Sequence, residues 1–333
     1  MLKKNRIIYL MLSAALCMGA MTGCGKKTAD RTEESQAEEK KSVVCTIFPE
    51  YDWAKQIIGA AGDQYELTLL LDNGSDLHSY QPTAEDIAKI ADCDVFVYVG
   101  GESDTWVADV LKERTDSKMQ VVNLLEVLGN TVKEEETVEG MEAEEPSGED
   151  EVEAPEYDEH VWLSLKNAET LVKAMTEALK KADEKNADVF QSNCDAYVQK
   201  LENLNQGYES AVSGGTKGTL VFGDRFPFRY MTDDYNLDYY AAFAGCSAET
   251  EASFGTIVFL AEKVDELGLS HVLVIENSDQ KIAQTVINNT ADKNQGILVL
   301  DSMQSTTGDD IAAGKTYLSA MQNNLGVLKT ALE

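Results

Sequence analysis

Eight short runs rich in β-branched and aromatic residues punctuate the chain, and their spacing repeats. They begin at Ser42 (SVVCTIF), Tyr65 (YELTLLL), Val95 (VFVYVG) and Gln120 (QVVNLL), then at Gly218 (GTLVFG), Leu237 (LDYYAAF), His271 (HVLVIE) and Gly296 (GILVLD). Counted from the first run of each half, the offsets are 0, 23, 53 and 78, then 0, 19, 53 and 78. Helical patterns fill the gaps: Tyr51 to Ala61, Thr83 to Ala91 and Asp104 to Glu113 in the first half, and Phe254 to Leu267, Gln280 to Thr290 and Thr316 to Leu332 in the second. Strands alternating with helices predict parallel sheets flanked by helices. The fold class is therefore α/β, with two lobes of the same rhythm.

The segment between the halves is of a different kind. From Ala187 the apolar positions Phe190, Cys194, Tyr197, Leu201, Leu204, Tyr208 and Ala211 recur at alternating spacings of three and four, without a proline, and Gly214-Gly215 supplies a stop. At about 1.5 Å per residue this helix is on the order of 40 Å long. It predicts a stiff rod joining the lobes, preceded by a second helix over Lys166 to Lys181. The expected domains are an N-terminal lobe over 42–165 that includes an acidic loop at 133–159, the helical pair over 166–215, and a C-terminal lobe over 216–333.

The N-terminus carries a processing signal. Lys3, Lys4 and Arg6 form a basic region, Ile7 to Met21 an apolar one too short to span a bilayer comfortably, and "MTGC" ends at Cys24. This resembles a bacterial lipobox. The resemblance implies a signal peptide over 1–23, diacylglycerol on Cys24, and an exported protein anchored by lipid to the outer face of the cell membrane. The polar segment over 24–41 reads as a flexible tether. With 59 acidic against 28 basic residues and a net charge of −31, phosphate would be repelled across most of the surface, which excludes nucleic acid as a partner and favours a cationic ligand.

From Glu134 to Glu159 the chain has fourteen acidic residues and no basic one. Like-charge repulsion predicts an extended, solvated loop, either without a specific role or collecting divalent cations. Cys45, Cys93, Cys194 and Cys246 have no close-spaced pairing; each reads as a buried inert thiol, with one or two disulfides open in an exported chain.

Only three histidines are present. His78 follows the second strand in a polar turn, and His160 follows the fourth strand of the same lobe, which places both outside the carboxyl ends of a parallel sheet, where ligands collect. His271 opens an apolar strand at the opposite end and is assigned a structural role. Asp224 follows GTLVFG and Asp301 follows GILVL in the second lobe. Two neutral imidazoles with one or two carboxylates make a mixed nitrogen and oxygen site suited to zinc, with manganese or iron(II) as alternatives.

On "GSDLHSYQPTAEDI", "DEHVWLSL", "RYMTDDYNLDYYAAFAGCSAETEAS" and "LVLDSM" the chain resembles the bacterial lipoprotein receptors that bind zinc or manganese for ATP-binding-cassette importers. The resemblance covers nearly everything from Ser42 to Glu333. It implies two α/β lobes bridged by one long helix with the metal between them, a monomer, and a cognate ABC permease and ATPase as partners. It also implies that His78, His160 and Asp301 are ligands. The family's third ligand is a histidine or glutamate three residues before a Phe and five before a Tyr; here Phe228 and Tyr230 put Arg225 in that slot. A guanidinium has no lone pair to give. Three outcomes stay open: Asp224 next door supplies the oxygen, Arg225 holds a carboxylate behind the ligands, or water completes a set of two imidazoles and one aspartate, with Glu249 and Glu251 as nearby candidates.

The leading expectation is a capture protein with no chemistry of its own. A surface adhesin on the same scaffold is the alternative. A metallohydrolase is the remote one, since neither H-E-x-x-H nor G-x-S-x-G occurs.

Overall fold

The computed structural model describes residues 40–112, 114, 118–142, 156–247 and 251–333. The signal peptide, Cys24, the tether to residue 39, the middle of the acidic loop at 143–155, and Glu249 lie outside the described residues.

In chain order the first half runs β1 (Lys41–Cys45), α1 (Phe48–Ile58), β2 (Tyr65–Leu69), α2 (Ala84–Asp92), β3 (Val95–Tyr98), α3 (Val107–Lys112), β4 (Gln120–Asn123) and α4 (Leu124–Leu128). The helical pair follows as α5 (Leu165–Ala182) and α6 (Ala187–Gly214). The second half runs β5 (Thr219–Phe226), α7 (Arg229–Tyr235), β6 (Asp238–Ala244), α8 (Phe254–Leu267), β7 (His271–Ile275), α9 (Lys281–Asn289), β8 (Gly296–Leu300), α10 (Gly308–Ala312) and α11 (Tyr317–Ala331). All eight expected strands form, and the two sheets have one topology, β2-β1-β3-β4 and β6-β5-β7-β8, parallel throughout. Helices cover both faces, which is why Val43, Val44 and Cys45 of β1 and Val272 to Val274 of β7 are apolar on every residue instead of alternating.

One irregularity in β5 matters for the site. Its pairing with β6 shifts register between Phe222 and Arg225, so Gly223 and Asp224 bulge and the next side chains are re-aimed. Gly223 is required there: a Cβ would lie 2.5 Å from the Cα of Ala283, so only glycine lets α9 pack against the strand.

The rod α6 is 28 residues, about 42 Å at the rise of an α-helix. Its N-terminal half lies on α1 and α5, where Asn193 Nδ2 donates to Ile57 O. Its C-terminal half lies on α11, where Tyr208 Oη donates to Met321 O. Between the halves the lobes are stitched by aromatic side chains. Trp53 and Tyr317 meet edge to face at 5.1 Å, Tyr317 Oη donates to Trp162 O, and Trp162 Nε1 donates to Ser302 O. One core therefore runs from the first lobe through α6 to α11, while a second core lies in the C-terminal lobe under α8 and α9.

The ends of the acidic loop are not solvated as charge repulsion alone predicts. Glu134 bridges to Tyr157, Tyr230 Oη accepts from Lys133 N and donates to Asp158 O, and Glu142 N donates to Ala242 O. Arg229 pairs with Glu136 at 2.7 Å, and Met141 is buried. Cationic and aromatic groups of the second lobe thus hold this strap across the molecule. Among the described residues no helix is long and apolar enough to cross a membrane.

Beneath the carboxyl end of the first sheet, α1 starts with a buried acid. Glu50 Oε2 accepts from Thr46 N, Thr46 Oγ1 and Ile47 N, and Oε1 has no partner. Burial, reinforced by Asp104, pushes its pKa up to about 8; burial likewise raises Asp104 to about 7. A raised carboxyl is protonated in the fold at pH values where the unfolded chain, near its ordinary value of about 4.3, has ionised. Stability from this group is complete below that value and is lost as pH rises to about 8. Denaturation of Glu50→Gln across this range should show a shallower loss with pH than the parent; an unchanged slope would refute the assignment.

Candidate metal centre

His78 is delivered by the loop after β2. A single tight turn over Leu77–Ser79 is capped by Asp76, whose Oδ1 accepts from His78 N, and Leu77 is buried beneath it. The chain then enters α2 through a capping box between Thr83 and Asp86. His160 ends the acidic loop. Val161, Trp162 and Leu163 form one buried turn, and Ser164 caps α5 by accepting from Asn167 N. The apolar turn and the capped helix fix the imidazole, which is fully buried.

The two rings meet with Nε2 to Nε2 at 3.1 Å. Their remaining nitrogens are held from behind: His160 Nδ1 lies 2.9 Å from Asp158 Oδ1, and His78 Nδ1 lies 2.9 Å from Ser103 Oγ and 3.5 Å from Glu159 Oε2. A carboxylate at Nδ1 fixes the tautomer that leaves the Nε2 lone pair free to bind a metal. Burial opposes charge on His160, but Asp158, through its field and its hydrogen bond, lifts the imidazole above its ordinary value. Burial and then His160 press His78 down to about 4. Two imidazoles this close are not both positively charged.

From the second lobe, β6 ends at Ala244 and turns through Gly245, placing Cys246 beside the histidines. One nitrogen of each ring and the thiol sulfur all lie within 4.8 Å of one another. Cys246 thus lies beside two imidazoles and not in a wholly apolar setting. The other three thiols, Cys45, Cys93 and Cys194, are buried and free, and Cys246 is free as well, so no disulfide joins them.

Arg225 occupies the expected slot and turns to the opposite loop: Nη2 lies 2.7 Å from Asp76 Oδ2, and Nη1 donates to Ser247 O at 3.4 Å. Burial works against ionisation of Asp76, yet Arg225 and His78 hold it below the usual carboxylate range. Asp224 borders the same cavity of about 510 Å³; its Oδ1 accepts from Arg225 N, and its buried Oδ2 has no partner. Among the described residues Asp301 is not in the group of donor atoms drawn within 4.8 Å of one another; its Oδ2 lies 2.8 Å from Lys315 Nζ and its Oδ1 accepts from Met303 N. Glu251 is exposed.

Glu276, one residue past β7, also borders the cavity, accepting from Ser302 N and Oγ and from Gln304 N. Gln304 Oε1 in turn lies 3.3 Å from His160 Nε2. Sequence reasoning passed over Glu276 although it ends HVLVIE at the same sheet edge as Asp301, and over Asp76, Asp158 and Glu159, which sit within two residues of the histidines. Those adjacencies were the available signal.

The geometry tests the donor set. Two nitrogens bound at about 2.0–2.1 Å to one tetrahedral zinc ion lie roughly 3.3–3.4 Å apart. The observed 3.1 Å requires only a small separation of the rings. Asp158→Asn keeps the packing and removes the charge behind His160; a competition titration should show roughly 10–100-fold weaker zinc binding, and an unchanged affinity would remove Asp158 from the site.

The sequence profile of the family described as zinc-uptake complex component A, periplasmic (ZnuA), matches residues 43–331. The zinc-binding lipoprotein AdcA of Streptococcus pneumoniae is 31% identical over 325 residues, 96% of this chain and 60% of that protein, so the chain spans less than two thirds of that relative's length. The high-affinity zinc uptake system protein ZnuA of Bacillus subtilis is 28% identical over 320 residues, 96% of this chain and 95% of that protein. The crystal structure of the Zn(II)-bound ZnuA-like domain of Streptococcus pneumoniae AdcA is similar with a TM-score of 0.67 at 29% identity, covering 88% of this chain and 99% of that one. With two like α/β lobes, a bridging rod and a profile match over nearly all of both, the chain belongs to the zinc-uptake complex component A family.

Proposed function

We propose that the protein captures a zinc ion between its lobes at the outer face of the membrane, anchored by lipid on Cys24, and hands it to an ABC permease and its ATPase. It is a receptor without chemistry of its own and works as a monomer. The observation that carries this reading is the pair of imidazoles, His160 buried and His78 partly so, with Nε2 atoms 3.1 Å apart and each held from behind through Nδ1. Nitrogen donors suit zinc, whereas calcium and magnesium require oxygen throughout. The names of the relatives point the same way: AdcA is described as zinc-binding and the Bacillus subtilis protein as part of zinc uptake.

The net charge of −31 supports the reading through the field, since an acidic surface raises the local concentration of divalent cations. The aromatic stitching between the lobes and the stiff α6 favour small rearrangements near the site over a wide hinge. Release then requires the permease to draw the ligands of one lobe from those of the other.

Zinc in a four-donor site is worth about 10–16 kcal/mol, so each lost donor removes about 3 kcal/mol, or roughly two orders of magnitude. Calorimetry with a competing chelator should find one equivalent of zinc per chain, weakened by about that factor in His78→Ala and in His160→Ala. Parental affinity in either variant would end the proposal.

A further inference from the structure

The family's third ligand position holds Arg225, which cannot donate electrons, and its charge is spent on Asp76 2.7 Å away. Asp224 next door has one oxygen engaged by the backbone, and among the described residues the group of donor atoms drawn within 4.8 Å does not include it. That group is His78, His160 and Cys246. Resting on the zinc-capture reading, we propose that the thiolate of Cys246 is the third protein ligand, so that the centre is a two-histidine, one-cysteine site selective for soft divalent metals.

Three independent features build Cys246 into this place. Gly245 lies against the imidazole: a Cβ there would fall 3.0 Å from His160 Cε1 and 2.9 Å from Phe226 O, so only glycine brings the backbone of Cys246 this close to the ring. The N–H of Cys246 donates to Glu135 Oε1 at 2.9 Å, which ties the second-lobe turn to the acidic strap. Arg225 Nη1 donates to Ser247 O, the neighbouring carbonyl, so the guanidinium that displaced the usual ligand fixes the turn that carries its replacement. Alongside, Glu159 is buried, its Oε2 3.5 Å from His78 Nδ1, and borders the same small cavity as His78 and Cys246, an acidic wall suited to a cation.

The chemistry balances simply. The S–H bond of the thiol breaks, its proton passes to solvent, and the sulfur lone pair forms the bond to the metal, at about 2.3 Å for zinc. One negative charge is thereby added to two neutral imidazoles. Thiolate is a poor ligand for manganese and a good one for zinc, so the exchange of an oxygen or nitrogen donor for sulfur shifts the selectivity of the site in that direction.

Cobalt(II) reports this directly, because a thiolate bound to cobalt gives an intense near-ultraviolet charge-transfer band that nitrogen and oxygen ligands do not. The parent protein loaded with one equivalent of cobalt should show the band. Cys246→Ser and Cys246→Ala should lose it while still binding cobalt through the histidines, and their zinc affinity relative to manganese should fall at least about tenfold. Far-ultraviolet circular dichroism of both variants separates loss of the ligand from loss of the fold. Stoichiometric cobalt without the band in the parent, or a band that survives both substitutions, overturns the assignment and leaves zinc capture standing. A parent that takes up neither cobalt nor zinc overturns the receptor reading and this assignment together.

Discussion

Two imidazole nitrogens 3.1 Å apart, one on a buried ring and one on a partly buried ring, are the constraint around which the rest of the molecule is arranged. Left to themselves, two such rings would repel when protonated and would take up water when neutral. Asp158 behind one and Ser103 and Glu159 behind the other fix their orientation, and a buried apolar turn fixes the backbone of His160. The stitched lobes hold the opposing wall, with Gly245 against the ring of His160. Each of these features costs something alone: a buried charge, an unpartnered oxygen, a residue confined to glycine. Together they present lone pairs to one point.

The surrounding electrostatics follow from the same point. Asp76, Asp158, Glu159 and Glu276 approach the centre from both lobes, and Arg225 answers part of that charge. With carboxylates so close, a cation at the centre is favoured, while the guanidinium keeps Asp76 ionised and out of competition for protons. The strap from Lys133 to Glu142 has a related part. Its acidic residues are drawn onto Arg229 and the turn at Cys246, so the ends of a segment that reads as an extended, solvated loop become a brace across the lobes.

How much of this was legible before the fold was known can be judged residue by residue. The eight strands were, because buried parallel strands are unbroken apolar runs, and their repeating offsets pointed to two copies of one topology. The rod α6 was, because its apolar stripe has the period of a helix from Ala187 to Ala211 and glycine follows. His78 and His160 were placed at one sheet edge by their position after β2 and β4. Helix starts were less legible: α1 begins at Phe48, ahead of the pattern that opens at Tyr51, because Pro49 in the first turn and Glu50 bonding back to Ile47 and Thr46 start it earlier.

The sequence by itself determined the two-lobed α/β architecture, the stiff bridge and the side of the first sheet on which a ligand gathers, since periodicity and strand order are local properties of the chain. Only the tertiary structure decided the ligand neighbourhood. Asp301 turned to Lys315, Arg225 to Asp76 and Cys246 to the histidines, partners 14, 149 and up to 168 positions away in the chain. Which lone pair is free at a site depends on what else reaches it through space, and a pattern along the sequence carries no record of that.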